Sequence, residues 1–238
     1  MKPTHSPSLR LFLARHFAAG GPLVTWVLCQ PAGGAIAYAG TRVGARPSAV
    51  TLLGLLAGVA GCTVLAVAER GVTFAAAGTV LVLSYLCDCA DGQLARATGT
   101  SSERGAWLDV LCDGAIVVCL ALAVAHQGER GSTPLLVLGA SALLGAGRMA
   151  SLVTGTMARR SPDRDEWTSR GLTLAGRRAY LAVMDTPVVY VTVAAAASLR
   201  APLALVAGGL GAAALLQALV VGRHTFSALP VGERRPSV

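Results

Sequence analysis

Residues 87–113 have the sequence CDCADGQLARATGTSSERGAWLDVLCD, and this pattern governs the interpretation of the whole chain. The segment contains two pairs of aspartates: Asp88 and Asp91 are three residues apart, and Asp109 and Asp113 are four apart. Residues at these spacings share one face of an α-helix, so each pair can point towards one place. The sequence therefore predicts two helices whose acidic faces meet at a common site.

Apolar sequence surrounds this segment on both sides. Residues 80–86 lead into the first pair and residues 115–125 follow the second, which places the carboxylates at or inside a membrane boundary. Ionisable groups are costly there and usually have a function. Clustered carboxylate oxygens suit Mg²⁺ or Mn²⁺, and the segment holds too few cations to neutralise four of them. We therefore expect a site for divalent metal ions.

The composition of the whole chain is typical of a multi-pass membrane protein. Of its 238 residues, 54% are hydrophobic and 13% charged, and the mean hydropathy is +0.61. The net charge of +8 does not indicate a nucleic-acid partner, because no soluble basic domain carries it. We attribute this charge to membrane topology and to contact with anionic membrane lipid.

Six long apolar runs predict an all-α integral membrane fold with six transmembrane helices and an N-terminal interfacial helix. The runs cover residues 48–68, 73–96, 106–126, 133–156, 179–199 and 202–221. The first contains Gly54 and Gly58, a spacing that lets helices approach closely. We expect one six-helix domain at residues 48–222, followed by a polar cytoplasmic tail at residues 223–238.

Residues 1–47 are expected to form an N-terminal interfacial and juxtamembrane segment. Near its start, apolar residues at helical spacing share one face and two arginines lie on another, which predicts a short helix on the membrane surface. The apolar face comprises Leu9, Phe12, Leu13 and Phe17, and Arg10 and Arg15 lie off it. Residues 23–40 are apolar but contain Pro31, Gly33 and Gly34, so we expect an interrupted, interfacial or partly re-entrant segment.

The distribution of basic residues predicts the orientation. Of the 20 Lys and Arg residues, Arg70, Arg130 and Arg200 fall in the predicted external turns and Arg148 falls inside a span. This bias obeys the positive-inside rule and places the turn between the two acidic helices at the cytoplasmic face. Lys2 is the only lysine, a bias typical of a GC-rich bacterial genome, so we expect a bacterial cell membrane.

The acidic segment resembles the signature of the CDP-alcohol phosphotransferase (CDP-alcohol phosphatidyltransferase) family, D-x2-D-G-x2-A-R-x8-G-x3-D-x3-D. The matching residues are Asp88, Asp91, Gly92, Ala95, Arg96, Gly105, Asp109 and Asp113. The resemblance implies transfer of the phospho-alcohol half of a CDP-alcohol, often CDP-diacylglycerol, to a second alcohol with release of CMP. It also implies a homodimer.

A role for each matching residue also follows from the resemblance. Asp88, Asp91 and Asp109 would be metal ligands, and Asp113 would contact the metals and act as general base for the acceptor hydroxyl. Positions that contact CDP would be Gly92, Ala95, Arg96 and Gly105. Two Mg²⁺ or Mn²⁺ ions would bind the diphosphate and stabilise the leaving group.

The residue types suit the donor-binding roles. Gly92, Ala95 and Gly105 would leave helix surfaces bare enough for a nucleotide, and Arg96 could contact a phosphate. The sequence Pro47-Ser48-x2-Thr51 is similar to a Pro-Asn-x2-Thr sequence common in the family. Ser48 departs from it, and we expect this residue to retain a helix-capping role.

Acceptor recognition is assigned to basic residues near the site. Arg148 lies in the fourth run, and Arg177 and Arg178 precede the fifth. They could bind a phosphate on the acceptor, as in the inositol-phosphate-using branch that the chain resembles in outline. Alternatively, Arg148 binds a phosphate of the donor or pairs with an aspartate, and the other two arginines extend to the membrane surface. Asp185 could line a pocket or satisfy a helix break near Pro187.

We expect phosphatidyl transfer from CDP-diacylglycerol to a polar alcohol, such as inositol phosphate or glycerol phosphate, in phospholipid biosynthesis. Within the same class, the donor could instead be a soluble CDP-alcohol. From a different class, the alternative is a cation-binding membrane transporter or scaffold. The aspartates could also pair with Arg96, Arg104 or Arg148 to hold helices together.

Overall fold

The computed structural model describes residues 8–16, 22–69, 71–129, 134–159, 185–198 and 203–227. Within these residues all regular structure is helical, which confirms the all-α prediction. The helices are α1 (Leu9–His16), α2 (Gln30–Val43), α3 (Pro47–Val67), α4 (Gly71–Thr98), α5 (Glu103–Glu129), α6 (Pro134–Arg159), α7 (Thr186–Ser198) and α8 (Leu203–Ser227). A π-helical segment, Thr25–Cys29, leads directly into α2.

Three of these helices are long and apolar enough to cross a membrane. Their spans are Pro47–Val67, Gly71–Thr98 and Glu103–Gln127, close to the first three predicted runs. Shorter apolar stretches follow at Val137–Ala150, Thr186–Ser198 and Ala204–Leu216. The chain is therefore an integral membrane protein. The first part of the predicted fifth run lies outside the described residues, so the number of six spans stays a prediction.

The N-terminal segment departs from the expected pattern, because Pro31, Gly33 and Gly34 do not interrupt the helix. Pro31 lies in the first turn of α2, where a missing N–H is tolerated. A Cβ at Gly33 would lie 2.7 Å from the Cβ of Cys89 on α4. These glycines thus allow close packing of α2 on α4. The predicted short helix is present as α1, and its Phe12 is buried against α2 and α4. Phe17 lies outside the described residues, and the position of α1 at the membrane surface stays a prediction.

Helix α3 packs along both acidic helices through small residues. A Cβ at Gly58 would lie 2.6 Å from Ile116 of α5, and one at Gly61 would lie 2.9 Å from Leu81 of α4. A Cβ at Gly54 would lie 3.1 Å from the Cβ of Cys87. Within residues 71–129, by contrast, the backbones of α4 and α5 come close to each other at few points, and their side chains meet at the aspartates. The separation between the two acidic helices is therefore set largely by α3.

Two capping motifs fix the turn between α4 and α5. Gly99 has a φ of 66°, and the amide of Thr100 donates to the Ala95 carbonyl at 3.0 Å, as in a Schellman motif. The hydroxyl of Ser102 then accepts a hydrogen bond from the Gly105 amide at 3.1 Å. This is the N-cap geometry that begins α5. The turn thus holds the two aspartate pairs in a defined relative position.

Candidate active site

The aspartates of α4 and α5 converge in one cleft. Single carboxylate oxygens of Asp88, Asp91 and Asp109 all lie within 4.8 Å of one another. Asp113, one helical turn beyond Asp109, lines the same cleft. The acidic faces of the two helices therefore meet, as their spacing predicts.

The chemistry of this cluster fits a divalent cation. Asp91 is only 7% exposed and the other three aspartates are half-buried. Asp88 interacts with the charges of Asp113, Asp109 and Asp91. Carboxylates removed from water and held this close repel one another unless a cation or proton is shared. Carboxylate oxygens are the ligand type that Mg²⁺ and Mn²⁺ prefer, so the residues present could hold such an ion.

One aspartate is fixed by α3. The hydroxyl of Thr51 donates a hydrogen bond to Oδ2 of Asp91, and the Pro47 carbonyl lies 3.1 Å from the same hydroxyl. Sequence analysis noted Thr51 only for its similarity to a family position. The capping role expected for Ser48 is wrong, because α3 begins at Pro47 after extended Arg46 without a side-chain cap. An extended residue followed by proline starts this helix without needing a cap.

The rest of the cleft is mostly apolar. Its remaining lining consists of Gly54 and Leu55 of α3, Ser84 and Tyr85 of α4, Cys112 and Ile116 of α5, and Tyr190 of α7. The Ser84 hydroxyl donates to the Gly54 carbonyl at 2.7 Å and so serves the packing of α3 on α4. The carboxylate cluster therefore lies beside apolar side chains of α3 and α5.

The predicted CDP-contacting positions form an open surface next to the aspartates. The nearest neighbour of a Cβ at Gly92 would be Nη1 of Arg96 at 3.4 Å, and at Gly105 it would be the Ser102 hydroxyl at 3.3 Å. Ala95 is half-buried, and exposed Arg96 has its Nη2 at 3.5 Å from the His16 carbonyl. The nearest atoms to both glycines are the ends of side chains rather than the backbone of another helix, and nucleotide contact at these four residues stays a prediction.

Arg148 is tied to helix α7. It is half-buried on α6, and its Nη2 donates to the Thr186 hydroxyl at 2.8 Å. Tyr190, four residues after Thr186, lines the aspartate cleft. Arg148 is thus linked to the helix that forms one wall of the cleft. Arg177 and Arg178 lie outside the described residues, and a role in acceptor binding stays a prediction for all three arginines.

Sequence analysis missed a buried polar cluster behind the cleft. Asp185 is fully buried; its Oδ2 accepts from the Thr25 amide at 2.7 Å, and its Oδ1 accepts from the Thr25 hydroxyl. The Tyr85 hydroxyl lies 2.9 Å from the Thr25 hydroxyl oxygen. The only sequence signal was an aspartate in an apolar run. Its partner lies 160 residues away and could not be found from local spacing.

Comparison with known proteins identifies the family. The family model for CDP-alcohol phosphatidyltransferase matches residues 45–224, which include α3 to α7 and most of α8. No curated protein matches the sequence. Among solved structures, the chain is similar to phosphatidylinositol phosphate synthase from Mycobacterium tuberculosis, solved with CDP-DAG bound. The two are 20% identical, with a TM-score of 0.61 over 88% of this chain and 99% of that chain.

The structural similarity shows a shared fold, and the family match covers most of the chain, including the aspartate signature. The protein is accordingly a member of the CDP-alcohol phosphatidyltransferase family, a transferase of substituted phosphate groups.

Proposed function

We propose that this chain transfers the phosphatidyl group of CDP-diacylglycerol to a polar alcohol and releases CMP, as a step in phospholipid biosynthesis. The observation that carries the proposal is the meeting of Asp88, Asp91 and Asp109 within 4.8 Å, beside a helix surface that glycine leaves bare. This arrangement offers a place for a metal-bound diphosphate and the attached nucleotide.

The aspartates would hold two Mg²⁺ or Mn²⁺ ions. Asp88, Asp91 and Asp109 supply the converging oxygens, with Asp113 next to them in the cleft. When bound, such ions neutralise the diphosphate and stabilise the negative charge of the leaving CMP. The Thr51 hydroxyl holds the Asp91 carboxylate in its orientation while it serves as a ligand.

Asp113 would act as the general base. It accepts the proton of the acceptor hydroxyl while the acceptor oxygen forms a bond to the phosphorus of the phosphatidyl group. The bond between that phosphorus and the oxygen of CMP breaks in the same displacement, and CMP leaves with the electron pair. A carboxylate adjacent to the acceptor is suited to this transfer.

The acceptor would be a polar alcohol, for which we propose a phosphorylated one such as inositol phosphate or glycerol phosphate. Arg148 supplies the cation for that phosphate, because it is half-buried and linked through Thr186 to the helix that carries Tyr190. A guanidinium group binds phosphate through paired hydrogen bonds. Arg177 and Arg178 would add to the same site.

The membrane setting favours a lipid donor. Apolar side chains of Leu55 and Ile116 line the cleft next to the aspartates, which suits the glycerol and acyl portion of CDP-diacylglycerol. We further propose six spans in a bacterial cell membrane, a cytoplasm-facing site by the positive-inside rule, and a homodimer. A cytoplasmic opening lets a lipid in the inner leaflet meet a water-soluble acceptor.

The test is CMP release by the purified protein. With CDP-diacylglycerol, Mg²⁺ or Mn²⁺ and a panel of alcohols and alcohol phosphates, we expect CMP release that requires both metal and acceptor. Release from a soluble CDP-alcohol but not from CDP-diacylglycerol would overturn the lipid donor. Release without added metal, after treatment with a chelator, would contradict the metal site.

Two isosteric variants test the residue roles. We expect Asp88→Asn and Asp113→Asn to remove turnover while the protein still inserts into the membrane and purifies normally. Glu69→Gln is the matched control, because Glu69 is exposed and lies outside the cleft. If either aspartate variant kept most of the activity, the role of that residue would be wrong.

A further inference from the structure

We infer that Thr25 and Asp185 are positioning residues that hold Tyr85 in the wall of the aspartate cleft. The inference rests on the proposed function, because it gives the held side chain a part in phosphatidyl transfer. Three segments that are distant in sequence meet here: the π-helical segment Thr25–Cys29, helix α4 and the start of helix α7.

Tyr85 stands beside the candidate metal ligands. It lies three residues before Asp88 on α4, on the same helical face, and it lines the cleft. Tyr190 of α7 lines the same space. A rotation of the Tyr85 ring would therefore change the shape of the cleft next to Asp88.

The directions of the hydrogen bonds follow from the donors available. The Asp185 carboxylate only accepts, and it takes both the amide and the hydroxyl hydrogen of Thr25. Thr25 has no other hydroxyl hydrogen, so the Tyr85 hydroxyl donates to the Thr25 oxygen across 2.9 Å. The orientation of Tyr85 thus depends on Asp185 through Thr25.

Asp185 and Thr25, which anchor this chain of hydrogen bonds, are held in fixed positions. Asp185 is fully buried and Thr25 is 5% exposed. A buried carboxylate is costly unless its acceptors are satisfied, so the two Thr25 donors are held firmly. Asp185 also begins α7, where its carbonyl accepts from the Val189 amide at 3.0 Å. Its neighbour Thr186 binds Arg148. The hydrogen bonds of Asp185 and Thr25 therefore link Tyr85 to helix α7, which contributes Tyr190 to the cleft.

A positioning role predicts a specific kinetic effect. Thr25→Val removes the hydroxyl and preserves the shape of the side chain, so the Tyr85 ring loses its acceptor. Small displacements in an active site can cost about 100-fold in rate. We expect kcat for CMP release to fall about tenfold or more, with the KM of the donor within about twofold of the wild type. Thr25→Ser retains the hydroxyl and should restore most of the lost kcat.

Matched controls separate this role from general packing. Thr79→Val makes the same change on α4, where the hydroxyl is exposed and bonds the Ala75 carbonyl of its own helix at 2.9 Å. It should leave kcat unchanged. Tyr85→Phe should also lower kcat, and the double variant should be no slower than the slower of the two single variants, because both changes break the bond between Tyr85 and Thr25. Tyr85→Phe also covers the case in which Thr25→Val fails to fold.

Three kinetic results would overturn the inference. They are a kcat for Thr25→Val equal to that of Thr79→Val, no rescue by Thr25→Ser, and independent effects of Thr25→Val and Tyr85→Phe. Thermal unfolding of the wild type, the two single variants Thr25→Val and Tyr85→Phe, and the double variant tests the bond without an activity measurement. Additive losses of stability in the two single variants would also refute the inference. If the wild type released no CMP from any donor, the proposed function would fail, and this stability cycle would still decide whether the bond exists.

Discussion

The hydroxyl of Thr51 on α3 donates a hydrogen bond to the carboxylate of Asp91 on α4, across 40 residues of sequence. This bond fixes a candidate metal ligand from a helix that carries no aspartate of its own. It also joins two membrane helices at the level of the cleft. The orientation of the acidic cluster therefore depends on α3 as well as on α4 and α5.

Replacement of Thr51 should weaken catalysis and leave the fold intact. A hydrogen bond to a charged group contributes about 1.5–3 kcal/mol, so Thr51→Val should lower kcat about tenfold or more, and Thr51→Ser should stay near the wild type. Initial rates of CMP release at saturating donor measure the effect. Thr63→Val is the control on the same helix, since its exposed hydroxyl bonds only the Val59 carbonyl at 2.8 Å. Equal rates for the two valine variants would refute the role.

A larger side chain at Gly92 should block the donor. Helix α4 has room for a Cβ there, so Gly92→Leu should fold, but its side chain would occupy the surface assigned to the nucleotide. We expect the KM of CDP-diacylglycerol to rise about tenfold or more, because a displaced nucleotide loses its contacts with the helix. Gly209→Leu is the control, at an exposed site on α8 with nothing within 4 Å. An unchanged KM for Gly92→Leu would place the nucleotide elsewhere.

Loss of the Arg148 side chain should act on the acceptor. If the guanidinium binds the acceptor phosphate, Arg148→Ala should raise the KM of a phosphorylated acceptor about tenfold or more and leave the donor KM unchanged. Initial rates with both substrates varied would separate the two constants. The companion variant Thr186→Val removes only the hydroxyl that accepts from Arg148 at 2.8 Å, and should show a smaller effect in the same direction. An unaltered acceptor KM in Arg148→Ala would rule out phosphate binding by this residue.

The contact between α6 and α8 should not tolerate a methyl group. A Cβ at Gly211 would lie 2.5 Å from the backbone of Leu143, and one at Gly147 would lie 2.2 Å from the Gly211 carbonyl. Overpacking of this kind costs about 1–3 kcal/mol, so Gly211→Ala should lower the thermal unfolding temperature in detergent. Gly139→Ala on α6 is the control: a Cβ there would have no atom within 4 Å, so this variant should keep the unfolding temperature of the wild type. Equal unfolding temperatures would show that the helices adjust without cost.

Local pattern was enough to predict the centre of the molecule. The first apolar run, residues 48–68, corresponds to helix Pro47–Val67, because hydrophobic length and a flanking proline define such a helix in sequence alone. The meeting of the aspartate pairs was equally predictable. Helical periodicity puts each pair on one face, and the short capped turn brings the two faces together.

Features that depend on distant neighbours were not predictable. The sequence suggested breaks at Gly33 and Gly34, and the structure shows that these glycines instead admit Cys89 and Gln93 of α4. Whether a glycine bends a helix or receives another one depends on what lies beside it, which spacing does not reveal. The bond between Thr25 and Asp185 is similar: Asp185 stands out as an aspartate in an apolar run, but nothing in the sequence indicates that its partner is Thr25.

The slight contact between α4 and α5 makes α3 a spacer for the carboxylates. The distance between the aspartates of α4 and those of α5 depends on α3, which supplies no aspartate. The glycines of α3 let it lie close to both neighbouring helices. A bulkier residue on α3 would push α4 and α5 further apart, although no aspartate would have been replaced. The size of the cation that fits the proposed metal site would therefore depend on side chains of α3 as well as on the aspartates.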